Sequence, residues 1–278
     1  MDIEDLERAA ALHWQAPEQD RLGDWLLRAA EGFTGRANSV LPLGDPGVPL
    51  PEAVAAVQDW YRRRALPPMI VVPGVLHQGT PPGPLENLLA ERGWLPRPGP
   101  ALVMTAAIAD IPARTDTDLR LDPEPDESWL ALYRYRGQDL PPIARTLLMS
   151  APWQAFATVR RDSRAVACGR ISVAGAPGEQ WGAITAVQVD PAWQRQGLAA
   201  VLTYALAAAA ARRGADRVLL QVETGNAPAR ALYVRCGFRD SHRYHYMIAP
   251  LPASPLPANT GPTHALCALG YHGFSLRL

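Results

Sequence analysis

The residues of this chain best suited to chemistry lie in the run VQVDPAWQRQGLAAVLTYAL, residues 187–206. An apolar strand should end near Val189, and Asp190 and Pro191 close it. Gln194, Arg195, Gln196, Gly197, Leu198, Ala199 and Ala200 then lead into a long alanine-rich helix. The first N–H groups of a helix have no intrahelical partners, and with the helix dipole they form an anion site. Gly197 lets a phosphate approach the backbone closely, and Arg195 adds charge and donors from its side chain. The pattern is neither the GxxxxGK[ST] loop of nucleoside triphosphatases nor the GxGxxG dinucleotide fingerprint. An ordinary strand–turn–helix connection with one glycine would read the same way.

A second stretch, LLQVETGNAPARALYVRCGF over residues 219–238, has the order strand, capped helix, return. Asn226 stands where an N-cap is expected. Pro228 is tolerated in the first turn, where no backbone N–H is needed, and Gly237 stops the helix. Tyr233 falls seven residues after Asn226, about two turns on and on the same side. Taken alone, such a tyrosine packs a helix against a sheet. Glu223, Glu179 and Glu127 are the acids near this region, each equally at home as a solvated surface group. His242 and His245 lie near a final strand. Trp181 and Trp193 either wall a cleft or pack in the core.

Elements must hold these residues in place. The expected helices are 1–12, 51–64, 84–92, 127–133, 140–150, 198–213 and 227–235. The expected strands are 69–72, 101–107, 155–161, 165–174, 183–189, 217–222 and 244–248, chosen from apolar runs bounded by Gly, Pro and charged turns. The run WLLRAAEGF at 25–33 fits strands or a helix, and Gly32 and Gly35 favour strands. Residues 111–126 are polar and hold three prolines, the composition of a linker. The whole is a mixed α/β chain in two parts.

Lys plus Arg equals Asp plus Glu at 27 each, so the chain lacks the overall basic signature of a nucleic-acid binder and a small ligand is expected. Cys168, Cys236 and Cys267 match no zinc or thiol redox spacing, and no metal is expected. They read as packing residues in a reducing compartment. The acidic start MDIEDLERAA has no secretory signal, and no apolar run reaches membrane-spanning length. A cytoplasmic protein, not bound to membrane, is the expectation.

The two motifs together resemble the GCN5-related N-acetyltransferase (GNAT) superfamily, over about residues 155–248 and more weakly back to 127. Its Q/R-x-x-G-x-G/A loop is matched by Gln194, Gly197 and Ala199. Its N-x-x-A-x-x-x-Y-x-x-x-G-F stretch is matched by Asn226, Ala229, Tyr233, Gly237 and Phe238 without insertion. The resemblance implies a mixed-sheet acyl-CoA N-acyltransferase fold and acetyl-CoA as co-substrate. The amides of Gln196, Gly197, Leu198, Ala199 and Ala200 would wrap the pyrophosphate, helped by Gln194 and Arg195. Val187 and Val189 would pair through their backbone with the pantetheine arm. Asn226 would position that arm, and Tyr233 would donate a proton or hydrogen bond to the leaving thiolate. Many members carry a glutamate base on the strand before the loop, but residues 181–189 hold no acid. Glu223 is the expected substitute, with Glu179, Glu127 or a water relay from a backbone carbonyl as alternatives.

The first half is a faint echo of the second. LLAERGW at 88–94 parallels LYVRCGF at 232–238, which puts Leu89 where the second half has Tyr233. No Q/R-x-x-G-x-G/A loop precedes Pro51. This resembles tandem bacterial acetyltransferases of the N-acetylglutamate-synthase-like group: a degenerate copy at 1–110, a linker at 111–126, a catalytic copy at 127–250 and a tail at 251–278. The first copy would then shape the acceptor cleft or a homodimer contact. The acceptor is expected to be the primary amine of a small molecule or amino acid. A non-catalytic acyl-CoA sensor, a protein-lysine acetyltransferase and a structural protein on the same fold are the alternatives.

Overall fold

The computed structural model describes residues 2–76, 79–113, 118–134 and 137–250; the expected tail lies outside them. Helix α1 (Ile3–Ala11) is capped by Asp2, whose carboxylate accepts from the Asp5 N–H. Strands β1 (Glu18–Leu22) and β2 (Trp25–Ala29) form an antiparallel hairpin, so residues 25–33 begin as a strand. Then come α2 (Leu50–Arg62), β3 (Met69–Gly74), α3 (Pro84–Glu91), β4 (Leu95–Pro96) and β5 (Ala101–Ala107). The second half runs β6 (Leu119–Asp122), α4 (Glu127–Leu132), α5 (Ile143–Leu148), β7 (Trp153–Arg161), β8 (Arg164–Ala174) and β9 (Trp181–Val189). It ends with α6 (Leu198–Ala211), β10 (Arg217–Glu223), α7 (Ala227–Arg235) and β11 (Arg239–Ile248).

Apart from the hairpin, the strands of the described residues make one nine-stranded mixed sheet. Its order is β3–β11–β5–β10–β9–β8–β7–β6, with β4 beside the end of β11. The last strand of the second half therefore sits between β3 and β5 of the first. In return β5 sits between β10 and β11 of the second. Two features differ from the expected organisation. The stretch 111–126 is more than a spacer, because β6 lies within it and pairs with β7. The halves also share strands across the expected boundary. Neither departure leaves a local trace, since a short polar edge strand and a distant pairing partner have no period to read.

The helix ends of the two halves follow one scheme. In α3 the N–H groups of Gly93 and Trp94 bond to the carbonyls of Ala90 and Leu89; in α7 those of Gly237 and Phe238 bond to Val234 and Tyr233. Both glycines have positive φ, the left-handed cap that stops a helix. At the ends of α2 and α6, the Leu66 and Ala215 N–H groups bond to the carbonyls of Tyr61 and Ala210.

Apolar clusters lie on both faces of the sheet. Leu202, Leu206 and Ala210 of α6 pack on Val166, Ile171, Ile184 and Val218. On the other face Leu6 and Ala10 of α1 meet Val71, Val103, Ala183 and Leu219. A further cluster joins Trp14 and Phe33 to Trp129, Leu147 and Phe156, so the first half packs on α4 and α5. Cys168 and Cys236 are buried, in keeping with a packing role.

Candidate active site

The site grows from a split in the sheet. β9 and β10 pair in parallel from Arg217–Trp181 to Leu220–Ile184 and no further. The cause is a bulge: Cys168 faces Gln188 and Arg170 faces Thr185, so Ala186 and Val187 together oppose Gly169. Ala186 has φ of 55°, and such an extra residue bends its strand. Val187 has no register partner in β8 and lines the opening at the split, while Val189 is buried at the strand end.

Asp190 then caps a short 3₁₀ turn, accepting from the Ala192 N–H at 2.9 Å while Arg164 holds its other oxygen at 2.7 Å. The Gln194 amide lies 3.5 Å from the Val189 carbonyl and braces the loop against its strand. Arg195 and Gly197 both have positive φ, and Gly197 is the N-cap of α6. Intrahelical bonding begins when the Ala200 and Val201 N–H groups donate to the Gly197 carbonyl, so the preceding amides point outward. No atom lies within 4 Å of where a Gly197 side chain would start, and Arg195, Gln196 and Gly197 are exposed. Gly182 sets the helix close to the sheet, since a Cβ there would meet Ala210 Cβ and Val218 Cγ1 at 2.8 Å.

On the far side of the split, Asn226 caps α7 by accepting from the Ala229 N–H at 3.2 Å. Tyr233 is 8% exposed and stacks edge-on to Phe238 with centroids 5.8 Å apart. Burial, then the neighbouring Cys236, raises its phenol above the ordinary value, so it keeps its proton at neutral pH.

A cavity of about 230 Å³ opens at the split. Ile184, Val187, Glu223, Asn226 and Tyr233 line it; the turn 194–200 lies beyond this lining. Of the acids considered, Glu223 reaches the cavity, while Glu179 and Glu127 are exposed elsewhere. His242 is buried against Glu7 at 2.7 Å, and His245 lies 3.3 Å from Glu86. Trp181 is a core residue and Trp193 packs on the core edge; neither lines the cavity.

The sequence did not foretell the other wall. It comes from Trp14, Arg36, Arg97 and Ala101 of the first half, with Tyr133, Tyr244 and Tyr246. Beneath lies Arg170, fully buried, donating to the carbonyls of Leu148 at 2.7 Å and His13 at 3.2 Å. Burial and then Arg36 lower its pKa to about 9. The His13 imidazole, 3.0 Å from the Ser172 hydroxyl, is pushed down to about 3 by burial, then Arg170, then Arg36. A lone arginine in a loop carries no sequence signal, and no motif links position 36 to positions 170 or 233.

A strand split beside a glycine-capped helix, with a buried neutral tyrosine lining the opening, defines a GNAT-superfamily N-acetyltransferase. Residues 1–247 match the family model described as "Probable histone acetyltransferase Rv0428c C-terminal", and the chain belongs to that family. It is 30% identical over 249 residues to "Probable histone acetyltransferase Rv0428c" of Mycobacterium tuberculosis, covering 89% of this chain and 74% of that one. It is 27% identical over 260 residues to "Uncharacterized N-acetyltransferase YobR" of Bacillus subtilis, covering 89% and 98%. Among solved structures, a GCN5-related N-acetyltransferase from Kribbella flavida shares the fold with a TM-score of 0.64 at 17% identity, over 91% of this chain and 97% of that one. A tandem GNAT protein from the clavulanic acid biosynthesis pathway gives 0.54 at 14% identity, over 73% and 70%. The chain is an acetyl-CoA-dependent N-acetyltransferase, moving an acetyl group from acetyl-CoA to an amine. Among the described residues no group of His, Cys, Asp and Glu is arranged to hold a metal ion, and no helix is long and apolar enough to cross a membrane.

Proposed function

We propose that the chain acetylates the primary amine of a small molecule or amino acid by direct attack on acetyl-CoA. The observation that carries this reading is the shared cavity at the β9–β10 split, where Val187, Asn226 and Tyr233 meet. Acetyl-CoA binds with its pyrophosphate on the amides of Gln196, Gly197, Leu198, Ala199 and Ala200, beside Gln194 and Arg195. Its pantetheine arm runs along Val187 and Val189, where the strand edge has no neighbour. The amine nitrogen attacks the thioester carbonyl, a C–N bond forms and the C–S bond breaks. The amine's proton leaves to Glu223 or to water, and Tyr233 donates to the departing sulfur, giving the amide and free coenzyme A.

Residues 1–110 and 127–250 are, in this reading, two copies of one fold, of which the first has no cofactor site. The matched helix ends and the order β3–β11–β5–β10, which is unchanged in kind when the halves are exchanged, support it. Leu89 replaces Tyr233 in the first copy, and Pro49 precedes α2 where Gly197 precedes α6. The description of the M. tuberculosis relative favours a protein-lysine acceptor instead. Product mass spectrometry on a panel of small amines and lysine peptides, with acetyl-CoA stoichiometry by calorimetry, separates the readings. Small-amine products and one acetyl-CoA per chain are expected. Preferential transfer to peptide lysine, or two sites per chain, overturns the reading.

A further inference from the structure

The cavity wall built by the first half is cationic. Arg36 and Arg97 both line it. Arg97 packs against Gly35, its Nη1 lying 2.6 Å from where a Gly35 side chain would start, so the two guanidinium-bearing segments are neighbours. Arg97 also lies over the Tyr246 ring at 5.7 Å, and Arg36 over the Trp14 ring at 5.9 Å. Trp14 is itself pinned by a hydrogen bond from its Nε1 to the Thr34 hydroxyl at 3.1 Å.

Among the described residues neither Arg36 nor Arg97 has an ion-pair partner. The acids near this wall are Glu7, which shares a small pocket with Arg28 and Arg36, and Glu223, whose carboxylate lies against Gly99. Glu7 is bound to His242, Asp139 pairs with Arg134 at 3.1 Å, and Glu223 ends β10 beside Ala101 of β5. Behind the wall, Arg28 and Arg170 are buried and held by neutral acceptors, Arg28 by the Ser39 carbonyl and hydroxyl and Arg170 by backbone carbonyls and hydroxyls. Two guanidinium groups without an ion pair, those of Arg36 and Arg97, thus line the cavity, with Glu223 the acid that lines it too. Like charges at close range disfavour one another unless an anion sits between them.

We infer that the acceptor amine carries an anionic group, a carboxylate or a phosphate, and that Arg36, with Arg97 beside it, receives that group. The planar guanidinium offers paired donors that match both oxyanions, and Trp14 gives Arg36 a fixed platform. The inference rests on the small-amine reading above. It makes the first half a specificity element for a reaction whose cofactor is bound by the second.

The test compares amines of equal chain length that end in a carboxylate, a phosphate or a methyl group, by kcat/KM at saturating acetyl-CoA. The wild type should prefer a charged member by on the order of tenfold or more, as expected for a charge-assisted contact, and the favoured member tells carboxylate from phosphate. Arg36→Gln should collapse that preference, chiefly through KM, and Arg36→Lys should keep part of it. Thermal melts and acetyl-CoA titrations check that each variant is folded, and Arg97→Gln provides a second variant that should weaken the same preference. A wild type with no preference for the anionic amines, or a preference undiminished in both glutamine variants, overturns the inference and leaves the small-amine reading standing. Transfer to lysine peptides over every small amine removes both.

Discussion

Replacing Tyr233 by Phe tests the leaving-group step directly. The ring is 8% exposed and stacks on Phe238, and the change removes only the hydroxyl, so packing and fold should persist. A positioned proton donor is worth roughly 10²–10⁴ in rate, or about 2.7–5.4 kcal/mol. The structure selects within that range. Burial lifts the phenol above its ordinary 10.0, while a thiol titrates near ~8.5. Complete transfer from this phenol to a thiolate is therefore uphill by at least about 2 kcal/mol. Tyr233 should act mainly by hydrogen-bonding the sulfur as charge develops, and the loss should fall near the lower end, about a hundredfold. Single-turnover acetyl transfer at saturating acetyl-CoA, after matched binding titrations, reads the chemical step alone. A rate equal to wild type would refute the role and leave cofactor positioning and a solvent proton to account for thiolate departure.

Gly197→Asp places a carboxylate at the open N-cap of α6 and forces a non-glycine residue to φ of 81°; acetyl-CoA affinity should fall steeply by calorimetry, and unchanged affinity in a folded variant would remove the pyrophosphate from this turn. Gly182→Ala would press a methyl group against Ala210 and Val218 at 2.8 Å; overpacking of this kind costs about 1–3 kcal/mol, read as a lower denaturant midpoint, and an unaltered midpoint would show that α6 shifts freely. His13, held near 3 in the folded protein, refuses a proton that the unfolded chain accepts below 6.5. Its contribution is therefore complete above that pH and is lost as pH falls toward 3, by about 2–3 kcal/mol between pH 7 and pH 4.5. Urea titrations of His13→Gln should show a shallower acid dependence than wild type, and parallel curves would contradict the assignment.

What the sequence disclosed was local. Asn226, Pro228 and Gly237 specify where α7 starts and stops, and that helix runs from Ala227 to Arg235 as read. The apolar run at 101–107 and the glycine before Leu198 were likewise legible, because capping and burial act within a few residues. The bulge at Ala186 was not, since no glycine or proline marks it and only the register with β8 reveals it. Nor was the placing of Trp14 and Arg36 with Tyr133 and Tyr233 around one cavity. Those residues are brought together by packing between segments distant in the chain, which leaves no mark on the spacing of either. The expected last strand begins at 244, yet residues 239–243 form the start of β11 along β5, because a charged and polar run offers no apolar pattern to read.

The exchange of β5 and β11 also bears on how the protein is made. In the finished sheet β3 and β5 stand two strand spacings apart, about 9.5 Å, and a first half complete to Ala107 holds no strand of its own to bridge them. The strand that fills the gap ends at Ile248, about 140 residues later, or roughly 7–30 s of synthesis. Any β3 or β5 formed within that interval has an unpaired inner edge, the kind of surface that recruits strands from other chains. The nascent first half must therefore wait unsealed until almost the last described residue has left the ribosome.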